Sequence, residues 1–126
     1  MLQIIPKECL LSGRGQGYNA SAAEIRLYNG SKIMGFSATE PDRLRGPQFH
    51  RAWCDELAVW QYQDTFDQLM FGLRLGDNPQ CVITTTPKPT KLIKQLINRT
   101  NTVMTRGSTF ENEANLAPAA LEMLRE

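Results

Sequence analysis

The stretch FHRAWCDELAVW, residues 49 to 60, decides how the rest of the chain is read. A short β-prone run from Phe49 to Cys54 ends in two adjacent carboxylates, Asp55 and Glu56. Burying either charge is costly, so the pair marks a place where a strand leaves the interior and opens on water. One reading makes it the carboxyl end of a strand in a parallel sheet, where catalytic groups collect. There one acid can hold Mg²⁺ while the other orients a water for attack on a γ-phosphate. The other reading makes it the first turn of a helix, where unpaired N–H groups and the helix dipole favour carboxylates. Spacing alone leaves the two level.

Outward from that stretch the pattern is strand and helix in alternation. Upstream, AEIRLYNGSKIMGFSA (23–38) is two β-prone runs, with Ile25 and Leu27 on one face, joined by Asn29-Gly30. That dipeptide supplies the positive φ angles of a type I′ hairpin turn. TEPDRLRGPQ (39–48) reads as a loop or a single helical turn. Downstream, Asp64 is placed to cap a helix whose Phe66, Leu69, Met70 and Leu73 recur at i, i+3, i+4 and i+7. QCVITTT (80–86) is a β-branched run expected to form a central, buried strand, and TKLIKQLINR (90–99) an amphipathic helix. NTVMTRGSTF (101–110) fits one more strand and LAPAALEMLRE (116–126) a last helix with Pro118 in its first turn. The order implies an α/β fold, a parallel sheet with crossover helices preceded by a hairpin. Residues 1–20 are expected to be poorly ordered, leaving 21–126 as the domain.

The bulk properties exclude more than they assign. With 126 residues, 41% hydrophobic and 21% charged, the chain is long enough for one modest core. The formal charge of +1, from 14 basic and 13 acidic residues, gives no global field for nucleic acid or membrane. No apolar run approaches the roughly 20 residues of a membrane span, and no signal-like start is present, so a cytoplasmic location is expected. Cys9, Cys54 and Cys81 have no CxxC spacing and read as reduced, buried thiols. His50 has no second ligand at a useful spacing, and Trp53 and Trp60 read as packing residues.

From Asn29 onward the sequence resembles the ATPase domain of the large terminase subunit of tailed bacteriophages. The resemblance is carried in family order by NGSKIMGFSATEPDRLRGPQFHRAWCDELAVW (29–60), VITTTPKPTKLIKQLI (82–97) and TRGSTFENEANLAPAALEMLRE (105–126). In that family WCDE corresponds to the Walker B segment and TTTP to the coupling motif one strand later. The resemblance implies a partial P-loop NTPase-type (ASCE) three-layer sheet, ATP and Mg²⁺ as ligands, Asp55 as the Mg²⁺-associated acid and Glu56 as the catalytic glutamate. Thr84, Thr85 and Thr86 would form the segment that senses the γ-phosphate. Arg45, rather than Arg43, resembles the arginine proposed to act on a neighbouring subunit's site. The implied partners are double-stranded DNA, the portal protein, the small terminase subunit and further copies in a ring.

A phosphate-binding loop of the form GxxxxGK[ST] is not in this sequence, since none of Lys7, Lys32, Lys88, Lys91 or Lys94 follows a glycine. GRGQG (13–17) has neither that spacing nor that of a dinucleotide fingerprint. In the family the loop lies upstream of the hairpin and a nuclease domain lies downstream of the last helix. The chain is therefore expected to be a fragment or a prophage remnant, inactive by itself. The competing expectation is a non-catalytic DNA-binding or interaction module that keeps the fold. A small nuclease is disfavoured, because two adjacent acids have no third to complete a metal site.

Overall fold

The computed structural model describes residues 5–11, 17–108, 111 and 114. The chain divides into two compact units, Met1–Lys88 and Pro89–Glu126. The first unit holds two small sheets.

The antiparallel sheet consists of β1 (Tyr18–Asn19), β2 (Glu24–Arg26) and β3 (Lys32–Met34), in that order. Ile25 pairs with Ile33 across the hairpin, and Ile25 is buried. The hairpin turn differs from the type I′ expectation. Gly30 N–H donates to Leu27 O at 3.0 Å, and Gly30 alone has a positive φ, +85°. Asn29 keeps negative φ because Tyr28 and Asn29 form a type I turn, which Gly30 closes in the left-handed region as a bulge. The Asn29 side chain still contributes, its Oδ1 accepting from Ser31 N at 3.0 Å. Of the first twenty residues, Lys7–Cys9 form a 3-10 turn, Leu10 bridges Leu27, and Tyr18–Asn19 form β1.

The parallel sheet consists of β4 (Arg51–Asp55) and β5 (Gln80–Thr84). Parallel neighbours need a crossover connection. Here it is a 3-10 turn, Leu57–Val59, followed by α1, Gln63–Gly72. The helix stripe is as the spacing predicts: Phe66 and Leu69 are buried, and Met70 and Leu73 half-buried. Burial of a side chain such as Phe66 contributes roughly 1.5–3 kcal/mol. Asp64 is not the cap. Tyr62 occupies that position without a side-chain bond, and Asp64 sits in the first turn, where the dipole still favours it. The far end of α1 meets the start of β4 closely: Phe49 N–H donates to Gly72 O at 2.8 Å, and a Cβ on Gly72 would lie 2.8 Å from Pro47 O.

The register Ala52↔Cys81, Cys54↔Ile83 turns these four residues to the inner face. The other face carries Arg51, Trp53 and Asp55 beside Gln80, Val82 and Thr84. β5 is therefore not a buried central strand. Among the described residues this sheet has two strands, and Trp53 and Val82 are 56% and 61% exposed on its open face. The α/β class, hairpin and crossover are present, while a three-layer sheet is not formed by the described residues.

In the second unit α2 spans Lys91–Ile97. Thr90 caps it, its hydroxyl accepting from Ile93 N at 3.3 Å. Ile93 and Leu96 are buried, with Lys91 and Lys94 exposed. Residues 101–108 form no strand, contrary to the β-branched pattern. Val103 is 94% exposed, and without a neighbouring strand to take its N–H and C=O groups such a run gains nothing by extending into a sheet. The expected last helix at 116–126 lies outside the described residues.

Candidate functional site

The ladder sets the site. Asp55 is the last residue of β4, directly opposite Thr84, the last of β5. Both point to the open face. Thr84 Oγ1 lies 2.8 Å from Asp55 Oδ1 and 2.9 Å from the Trp53 indole Nε1. An indole N–H can only donate, so it occupies the hydroxyl as acceptor and leaves the Thr84 proton to point at the carboxylate. Trp60 holds the same residue from behind, its Nε1 donating to Asp55 O at 2.9 Å. From sequence alone both tryptophans read as packing residues. Trp53 is instead half out in solvent, with its polar edge engaged.

Glu56 follows in the left-handed region, φ 50° and ψ 44°. For a residue with a Cβ this costs roughly 1–2 kcal/mol, and strain of this kind clusters at functional positions. Its effect here is to break the strand and swing the Glu56 side chain across to the next loop. There Thr86 Oγ1 donates to Glu56 Oε2 at 2.9 Å. Thr85 ties the backbone between them: its Oγ1 accepts from Ala58 N at 2.9 Å and donates to Thr86 O at 3.2 Å. The three consecutive hydroxyls thus divide three tasks. Thr84 holds Asp55, Thr86 holds Glu56, and Thr85 fixes the turn after the acids. Asp55 is thus the last residue of β4 rather than part of a helical turn, while Glu56 takes the N-cap position of the 3-10 turn Leu57–Val59 without a side-chain cap bond.

Each carboxylate keeps one oxygen, Asp55 Oδ2 and Glu56 Oε1, without a hydrogen bond among the described residues. The ion pairs among those residues are Arg26–Glu24, Arg43–Glu40, Arg45–Asp42 and Arg45–Asp64. None reaches Asp55 or Glu56. Two adjacent exposed acids without a cationic side chain, flanked by hydroxyls, are a hard-oxygen cluster. Such a set suits a divalent cation that keeps several waters. No group of three or more His, Cys, Asp or Glu able to hold a metal occurs among the described residues. The protein oxygens can therefore fill only part of an octahedral shell.

Arg45 is placed elsewhere. It pairs with Asp42 at 3.3 Å and Asp64 at 3.9 Å and is 61% exposed along its side chain. With Leu44, Pro47, Gly72 and Arg74 it lines a cleft of about 220 Å³ that includes neither acid. Arg43 pairs with Glu40 at 3.2 Å, its guanidinium 5.9 Å from the centre of the Phe36 ring. His50 is exposed, its ring beside Gly76.

Beneath the acids lies a pair that sequence spacing concealed. Cys54 and Cys81 bring their sulfurs to 3.6 Å on the inner face. The hydrogen bond to Cys81 and burial push the Cys54 thiol well above its ordinary range, and the same bond draws Cys81 down. Only strand parity could have shown the pairing, since even positions of β4 and odd positions of β5 share the inner face.

A comparison with known families covers nearly the whole chain. The model of the family described as terminase large subunit, T4likevirus-type, N-terminal, matches residues 9–124. The chain belongs to this terminase family. No curated protein and no solved structure matches it. Membership gives the chain a role in phage DNA packaging, with DNA and packaging proteins as its general partners. No helix among the described residues is long and apolar enough to cross a membrane.

Proposed function

We propose that this terminase chain carries the water-activating and coupling part of an ATP-hydrolysing packaging motor. The observation that carries the reading is the double tie between strand ends, Thr84 to Asp55 and Thr86 to Glu56. Asp55, its side chain held by Thr84 and its backbone carbonyl by the Trp60 indole, would hold Mg²⁺ directly or through a water. The ion, when bound, neutralises charge developing on the phosphate oxygens. Glu56 Oε1 accepts a hydrogen bond from the attacking water and orients it. As Glu56 takes up proton charge its other oxygen becomes a poorer acceptor, and the Thr86 bond weakens. The loop after β5 thereby feels the state of the acid. Through this bond the segment Thr84, Thr85 and Thr86 would sense γ-phosphate loss indirectly and pass it on to DNA movement.

Arg45 belongs to this proposal as a group acting on a neighbouring copy. An exposed arginine that forms no ion pair with Asp55 or Glu56 of its own chain suits such a role, and guanidinium matches transferring phosphate charge. The ring, the portal protein, the small terminase subunit and double-stranded DNA complete the proposed assembly, in the cytoplasm of the host cell.

The sequence given has no lysine-bearing phosphate loop, so the polypeptide alone is proposed to turn over ATP negligibly. A steady-state phosphate-release assay tests both statements. No turnover above the Glu56→Gln variant supports them. Multiple turnovers abolished by Glu56→Gln would refute the dependence on an external phosphate grip while retaining Glu56 as catalyst. Multiple turnovers indifferent to Glu56→Gln would refute the catalytic assignment.

A further inference from the structure

Cys54 and Cys81 are diagonal neighbours on the same face of adjacent strands, offset by two residues in register, Cys54 opposite Ile83 and Cys81 opposite Ala52. Their sulfurs lie 3.6 Å apart and both are free thiols. Cys54 has no exposed surface, while Cys81 is only partly covered. No step of the proposed hydrolysis uses a thiol. The third cysteine, Cys9, lies in the 3-10 turn beside the antiparallel sheet.

We propose that Cys54 and Cys81 form a redox-active dithiol, a modification site for low-molecular-weight disulfides that closes to an intrachain disulfide. The inference is independent of the ATPase reading. Accessibility sets the order of events. Cys81, as thiolate, attacks one sulfur of the small disulfide RSSR, forming a Cys81–S–SR mixed disulfide and releasing the first RS⁻. Cys54 then gives up its proton, attacks Cys81 Sγ and expels the second RS⁻. Two protein thiols are oxidised, RSSR is reduced to two RSH, and atoms and electrons balance. The sulfurs must close from 3.6 Å to a bond of about 2.05 Å. The mixed disulfide is transient because its resolving thiol is already in place.

The position gives the cross-link a consequence. Cys54 directly precedes Asp55, and Cys81 lies three residues before Thr84. A bond between them ties β4 to β5 immediately beneath the two acid–hydroxyl pairs. Their relative displacement alters the hydrogen bond from Trp53 to Thr84.

The test is incubation of the full chain with oxidised glutathione, followed by intact mass and tryptic mapping without reductant. The expected product has lost the mass of two hydrogens, links the peptide 52–74 to the peptide 75–91, and reverts with dithiothreitol. In Cys54→Ser the glutathione adduct at Cys81 persists. In Cys81→Ser, Cys54 stays unmodified. A stable adduct at Cys81 of the wild-type chain with Cys54 left as a thiol overturns the proposal, and so does modification confined to Cys9. The wild-type map decides the matter even if a variant fails to fold.

Discussion

Thr86 donates its hydroxyl proton to Glu56 across 2.9 Å, joining the loop that follows β5 to the strained residue that ends β4. The parallel bond, Thr84 to Asp55 at 2.8 Å, lies on the ladder itself. Neither is buried, so each competes with water. Their value is in orientation more than in stability.

Removing either hydroxyl therefore costs little. Thr86→Val and Thr84→Val are each expected to lower unfolding free energy by about 0.5–1 kcal/mol in urea titrations. Thr84→Val also leaves the Trp53 N–H to solvent, so its emission shifts while that of Thr86→Val does not. Equal emission changes in both would contradict the assignment of that bond.

Glu56 carries backbone strain that a glycine would not. Glu56→Gly is expected to exceed Glu56→Ala in stability by about 1 kcal/mol, because both lose the Thr86 bond while only alanine keeps the left-handed penalty. A ranking with alanine above glycine would mean that the turn at 56 is not left-handed in solution.

Gly72 and Gly30 are both expected to resist alanine, for different reasons. At Gly72 a methyl would lie 2.8 Å from Pro47 O and 3.2 Å from the Phe49 ring. Overpacking against a backbone oxygen falls at the upper end of the usual range, about 3 kcal/mol, and leaves a net loss of about 2 kcal/mol after the roughly 1 kcal/mol of helix propensity that alanine returns. At Gly30 a methyl meets nothing within 4 Å, so only the positive φ counts, at about 1 kcal/mol. Thermal unfolding of the two variants should rank Gly72→Ala below Gly30→Ala.

Arg45→Ala should leave stability nearly unchanged, within about 1 kcal/mol, since its two partners are surface carboxylates. A loss of several kcal/mol in urea titration would assign Arg45 to the fold rather than to a neighbouring subunit's site.

Much of this molecule is local enough to be legible in sequence. Phe66 and Leu69 announce α1 by period, Ile25 and Ile33 flank a turn dipeptide, and the Phe49–Cys54 run stops at its acids. What escaped depends on partners distant in the chain. Val82 looked central because β-branched residues do not reveal whether a third strand arrives, and residues 101–108 failed as a strand for the same reason. Asp64 has the chemistry of a cap, yet the cap position falls two residues earlier, at Tyr62. The Asn29-Gly30 dipeptide announced a turn without fixing its type. At the site, spacing left Asp55 and Glu56 between a strand end and a helix start, and the family resemblance favoured the strand end, with Thr84–Thr86 one strand later. The pairing of each acid with its own hydroxyl, and the role of Trp53, required the register.

The central claim is that Asp55 and Glu56, fixed by Thr84 and Thr86, form the cation-binding half of a hydrolytic site. Mn²⁺ titration of the isotopically labelled chain, followed by paramagnetic broadening of its amide resonances, tests it most directly. Broadening that begins at Asp55, Glu56 and Thr84–Thr86, and is lost in Asp55→Asn, is the predicted result. Broadening that begins instead at Asp42 and Asp64, or is unchanged in Asp55→Asn, would contradict it.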